Sequence, residues 1–82
     1  MKQPIKILCV DDEPFILASL LRVLSDADYE CLGATSGFAG LQILAATPEV
    51  QVVISDYRMP EMTGVEFLRE VSTLWPETVR GC

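Results

Sequence analysis

Short apolar runs rich in β-branched residues alternate with segments of helical periodicity, and that alternation constrains the fold more than any other feature of the chain. Ile5-Lys6-Ile7-Leu8-Cys9-Val10 is the first run, and it stops abruptly at Asp11-Asp12-Glu13-Pro14. A run of this length between polar boundaries reads as a buried strand. Pro14 suits the first turn of a helix, where its missing N–H costs nothing, and the acids before it suit the positive end of the helix dipole. From residue 15 to about residue 26, Ile16, Leu17, Leu20, Leu21, Val23 and Leu24 give a broad apolar helix face. Residues 29–34 form a second candidate strand, and Thr35-Ser36-Gly37 offers an N-cap. Phe38, Leu41, Leu44 and Ala45 then line one face of a helix that stops before Pro48. Val52-Val53-Ile54-Ser55-Asp56 is the clearest strand, followed by a loop over residues 57–63. Val65, Phe67, Leu68, Val71, Leu74 and Trp75 mark a third helix that ends before Pro76, and a strand stub begins at Thr78-Val79-Arg80. The order β-α-β-α-β-α plus a stub predicts right-handed crossovers and a parallel α/β sheet. Ligands of such sheets bind beyond the carboxyl ends of the strands, where the strand order reverses.

Composition removes several classes of function. With 82 residues, half of them hydrophobic and 22% charged, the chain is one small domain at most and not a disordered tail. Its net charge of −6 repels phosphate backbones and anionic membranes, so neither nucleic acid nor lipid is expected as a direct partner. It has no His, which excludes imidazole zinc sites, His acid–base catalysis and Ser-His or Cys-His nucleophile pairs. Cys9, Cys31 and Cys82 are widely spaced and read as reduced thiols rather than a disulfide framework or zinc knuckle. No apolar run approaches the roughly 18 residues of a membrane helix, and no signal-peptide core follows Met1. A cytoplasmic location is expected.

Two strands end in acid: Asp11 and Asp12 after the first, Asp56 at the end of the third. If those strands are neighbours, the carboxylates meet at one sheet edge. Unit charges about 5 Å apart repel by roughly 3 kcal/mol at an effective dielectric near 20, so such a cluster binds protons or a cation. Oxygen ligands without His or Cys favour a hard ion, Mg²⁺ before Zn²⁺. One carboxylate is then left to act as a nucleophile, since Asp can form an acyl phosphate. Taken singly, each residue has a plainer reading. An Asp pair before a helix is more often a cap and dipole partner, and an Asp closing a strand is usually a turn residue. Met62 alone would be a gap filler and Gly64 a turn or helix-start glycine.

The combination is more specific. Ile7-Leu8-Cys9-Val10-Asp11-Asp12-Glu13, the D-x-x-M-P-x-M-x-G string from Asp56 to Gly64, and a helix opening Val65-Glu66-Phe67-Leu68 resemble the receiver domain of bacterial two-component response regulators. The resemblance runs from about Lys6 to Val79. It implies a flavodoxin-like parallel sheet, here incomplete, with strand order 2-1-3-4. It also implies that residues 1–82 are the N-terminal two-thirds of a receiver domain without an output domain. On this resemblance Asp56 is the phosphoacceptor and also a metal ligand, beside the acidic metal pair Asp11 and Asp12 and the backbone carbonyl of Arg58. Mg²⁺ is the implied cofactor, and the implied partner is a sensor histidine kinase or histidine phosphotransfer protein. The module is expected to accept phosphoryl groups rather than to act as an enzyme.

Two parts of the family pattern have no counterpart here. These are the Ser or Thr ending strand four and the Lys ending strand five. Lys2 and Lys6 lie at or before the start of strand one, and Thr78 precedes the stub. The alternative reading is therefore a truncated receiver that cannot switch and folds only as a dimer or strand-exchanged assembly, with strand three or the stub pairing across chains. A haloacid-dehalogenase-like phosphatase also uses a strand-end Asp and Mg²⁺, but it wants D-x-D where this chain has Asp11-Asp12-Glu13. A cobalamin-binding domain would need a ligand His.

Overall fold

The first apolar run becomes the centre of the sheet. In the computed structural model, which describes residues 4–56 and 62–81, it forms β1 (Lys6–Val10). β1 pairs in parallel with β2 (Glu30–Ala34) on one side, from Lys6↔Glu30 to Val10↔Ala34. On its other side it pairs with β3 (Val52–Ser55), from Ile7↔Val52 to Val10↔Ser55. A short β4 (Val79–Gly81) meets β3 at Val52↔Val79, Val53↔Arg80 and Ile54↔Gly81, giving the order β2-β1-β3-β4. The β3 edge, which the alternative reading would pair across chains, has backbone partners within the chain at three positions.

Helices cover both faces, which explains why β1 is apolar almost throughout rather than alternating. Ile7, Leu8, Cys9 and Val10 are all buried. Their side chains still alternate between faces, as strand geometry requires. Ile7 and Cys9 cluster with Leu17 of α1 (Pro14–Asp26), joined by Leu20, Leu21 and Leu24. Leu8 and Val10 cluster with Val53, with Leu44 of α2 (Gly37–Ala46), and with Phe67 and Val71 of α3 (Gly64–Leu74). The faces follow from the hand of the crossovers. The step from β1 to β2 and the step from β2 to β3 run in opposite directions across the sheet. One hand is preserved only if their helices lie on opposite faces. The step from β3 to β4 continues the second direction, and α3 shares the face of α2.

Three helix faces differ from the sequence reading. On α1, Ile16 and Val23 point to solvent, and the buried stripe is Leu17 with the half-buried Leu20, Leu21 and Leu24. A helix lying on a flat sheet buries only a stripe of roughly 100°, and the apolar residues of α1 spread wider than that. On α2, Phe38 and Ala45 are exposed, while Gly37, Gly40 and Leu44 are buried. Gly40 causes this rotation. A Cβ there would stand 3.0 Å from Phe67 Cε1 and Cζ and 3.0 Å from Val10 Cγ2, so the helix backbone itself packs on the core. On α3, Val65 and Leu74 are exposed. Among the described residues, no helix is long and apolar enough to cross a membrane.

Candidate functional site: an acidic cluster at the switch point

β2 lies on one side of β1 and β3 on the other, so the chain reverses direction across the sheet beside β1. The crevice at the carboxyl ends of β1 and β3 is that switch point. Both strand-end acids are fixed there by one further rung of sheet hydrogen bonding. The Asp11 N–H donates to the Ala34 carbonyl at 3.0 Å, and the Asp56 N–H donates to the Val10 carbonyl at 2.8 Å. Ser55, buried beneath, donates its hydroxyl to the Asp56 carbonyl at 3.0 Å. The backbone therefore aims Asp56 before any ligand arrives.

Asp11, Asp12 and Asp56, all half-buried, each bring one carboxylate oxygen to within 4.8 Å of the others. The plainer reading of Asp11 holds as well. Its Oδ1 accepts from the Glu13 N–H at 2.9 Å and so starts α1, whose own N-cap residue, Glu13, makes no side-chain bond. Asp11 thus caps the turn and faces the cluster at once. At 4.8 Å and an effective dielectric near 20, each pair of ionised carboxylates repels by about 3 kcal/mol, less for their share of solvent. The donor set is oxygen only and suits a hard cation that keeps water and takes one or two carboxylates. The sequence-predicted acids are thus brought together. Arg58, whose carbonyl was the further expected ligand, lies outside the described residues, as do Tyr57, Met59, Pro60 and Glu61.

The segment after Asp56 is re-anchored at Met62 and Thr63. Thr63 caps α3: its hydroxyl accepts from the Glu66 N–H at 3.1 Å, while Glu66 Oε1 accepts from the Thr63 N–H at 3.3 Å. The sequence reading left Thr63 in the loop. The T-x-x-E spacing of Thr63 and Glu66 before an apolar run was the signal for it. Met62 packs on the core face shared by α2 and α3, against Gly37.

Other polar features lie apart from the acids. A cleft of about 840 Å³ opens at the amino-terminal edge of the sheet, lined in part by Lys6, Glu49 and Trp75. There Lys6 pairs with Glu30 at 3.4 Å and with Glu49 at 4.0 Å. Cys9 and Cys31 are free thiols facing α1. Burial, and secondarily the nearby Cys31, pushes the Cys9 thiol up to about 11, and burial also raises Cys31. Burial thus favours the protonated, less nucleophilic thiol at both positions.

Fold and site together define a flavodoxin-like α/β domain with a carboxylate cluster at its switch point. The family described as the response regulator receiver domain matches residues 7–80, and the chain belongs to it. The hydrogenase transcriptional regulatory protein HoxA of Cupriavidus necator is 43% identical over 74 residues, 90% of this chain and 15% of that protein. A receiver domain protein from Clostridium thermocellum superposes with a TM-score of 0.89 at 35% identity, covering 93% of this chain and 61% of that one. TrrA from Thermotoga maritima, solved in complex with Mg²⁺-BeF, superposes with a TM-score of 0.88 at 30% identity, covering 93% of this chain and 65% of that one. The chain thus spans less than two thirds of the length of each of these proteins.

Proposed function

We propose that this chain is a phosphoacceptor module of a two-component relay, taking a phosphoryl group onto Asp56 from the phosphohistidine of a sensor histidine kinase or histidine phosphotransfer protein. The observation that carries this reading is the convergence of Asp11, Asp12 and Asp56 at the switch point of a receiver-family sheet. Asp11 and Asp12 would hold Mg²⁺ beside Asp56, with the Arg58 carbonyl as a further ligand. The ion would neutralise charge that otherwise keeps an anionic phosphoryl group away from three acids. The Mg²⁺-BeF complex of the similar TrrA is in keeping with this chemistry.

Phosphoryl transfer needs positioning more than covalent help from the protein. An Asp56 carboxylate oxygen attacks phosphorus in line, and the P–N bond to the donor His breaks as the new P–O bond forms. The imidazole leaves with the bonding pair, and an acyl phosphate remains on Asp56. The donor supplies the His, so a chain without any fits the scheme. One phosphoryl group is held per chain, which makes the module an acceptor rather than an enzyme. Lys6 is committed to Glu30 and Glu49 at the far edge of the sheet and does not assist.

The test is intact-mass analysis after incubation with acetyl phosphate and Mg²⁺. The protein should gain one phosphoryl group, and Asp56→Asn should gain none. Labelling that persists in Asp56→Asn would refute the assignment.

A further inference from the structure

We propose that Ser55 is a positioning residue for Asp56: its buried hydroxyl holds the Asp56 carbonyl and so fixes where the Asp56 side chain stands against Asp11 and Asp12. Ser55 is 2% exposed and is the one buried polar side chain among the described residues. By strand alternation it shares a face with Val53, and it pairs in register with Val10. Val10 and Val53 both belong to the apolar cluster beneath α2 and α3. A hydroxyl is costly on such a face unless it is hydrogen-bonded. The partner that Ser55 has there is the Asp56 carbonyl, at 3.0 Å.

That bond acts on the acid rather than on the strand. β3 ends at Ser55, and the Asp56 N–H, donating to the Val10 carbonyl at 2.8 Å, is the last rung to β1 among the described residues. The rung fixes the peptide before the Asp56 Cα. It leaves rotation about the N–Cα bond, which swings the side chain and the carbonyl together. Holding the carbonyl from Ser55 Oγ therefore holds the side chain as well. A force acts against this anchor. Asp11 and Asp12 bring carboxylate oxygens within 4.8 Å of one on Asp56, and ionised groups at that distance repel. Without the hydroxyl, Asp56 is free to turn away from the pair. Displacements of about 1 Å at a reacting group can cost orders of magnitude in rate, so a partial turn costs severalfold.

For its rate readout this inference rests on the reading of Asp56 as phosphoacceptor, so a second readout is independent of phosphorylation. Ser55→Ala removes the hydroxyl and Ser55→Thr keeps it. The rate of labelling by acetyl phosphate in saturating Mg²⁺ is followed by intact mass, at a temperature where each protein is folded. Ser55→Ala should label at least about fivefold more slowly than the parent, and Ser55→Thr within about twofold of it. Amide exchange at Asp56 should accelerate in Ser55→Ala, while exchange at Asp11, held by the Ala34 carbonyl, should not. A purely structural role would lower the melting temperature and leave the labelling rate unchanged, or would slow both variants alike; either result overturns the proposal. If the parent takes no label, the functional reading falls and exchange alone decides: acceleration at Asp56 without acceleration at Asp11 supports the positioning role, and its absence overturns it. Should either variant fail to fold, Ser55→Cys decides, since it nearly keeps the size and weakens the donor. Labelling slowed at least about threefold supports the proposal, and labelling at the parent's rate overturns it.

Discussion

Cys9 shows how much a single buried position contributes and under which conditions. It is fully buried against Ile7 and Leu17, and its thiol is pushed up to about 11. In the unfolded chain the same thiol titrates near its ordinary value of 9.0. The folded state thus favours the proton more than the unfolded state does. The stabilisation is complete below pH 9 and is lost as pH rises from 9 toward 11. Two units of difference correspond to about 3 kcal/mol, most of it lost by about pH 10.5. Cys9→Ala removes this dependence, so its stability deficit at about pH 8 should shrink by on the order of 2 kcal/mol near pH 10.5. Urea unfolding of both proteins at the two pH values measures it, and a constant deficit would show that Cys9 does not titrate in this way. The burial of Cys9 was legible, because it sits inside an unbroken apolar run. The burial of Gly37 and Gly40 was not. A glycine carries no hydrophobic signal, and only the approach of Met62 and Phe67 reveals that the space is used.

At the scale of elements, the sequence marked strands and helices well because their ends carry chemistry. Pro14 opens α1, Ser36 caps α2, and Pro48 and Pro76 follow the two later helices. What it did not mark was which side of each helix faces the sheet. α2 has apolar residues on most sides, so Phe38 and Leu44 look equivalent in sequence, and the contact at Gly40 selects Leu44. The start of α3 was placed one residue late, at Val65, and its cap Thr63 was left in the loop, because Thr63 looks like a loop residue until Glu66 is paired with it. That capping box is a local device whose loss can be measured. Thr63→Ala leaves the Glu66 N–H without its acceptor and should destabilise the protein by about 1 kcal/mol. Thermal unfolding would register the change. Thr63→Ser keeps the acceptor oxygen and should recover most of the loss. No difference between Ala and Ser at this position would mean that the hydroxyl contributes little to stability.

At the scale of the whole molecule, periodicity predicted strands and helices but not their order in space; the resemblance to receiver domains supplied that order. The order matters because it brings Asp56 beside Asp11 and Asp12, residues far apart in sequence. The energetic consequence runs through the entire fold. Asp56 repels the half-buried Asp11 and Asp12 in the native state, where the three lie within 4.8 Å, and leaves that pair on unfolding, so without metal this repulsion opposes folding. Removing one charge by Asp12→Asn should relieve about 1 kcal/mol after allowance for solvent screening. For a domain of this size, that corresponds to a melting temperature raised by roughly 4–8 °C in chelator. With Mg²⁺ the order should reverse. A cation held only by the folded state stabilises it by RT ln(1 + [L]/Kd), about 1.4 kcal/mol at ten times the dissociation constant. Asp12→Asn should lose most of that rise. Melting curves of the two proteins in chelator and in saturating Mg²⁺ should therefore cross, with the variant more stable in the first and the parent in the second. Curves in which the parent is more stable in both would mean that Asp12 serves the native structure directly. Curves in which Mg²⁺ stabilises both equally would place the cation elsewhere than between Asp12 and Asp56.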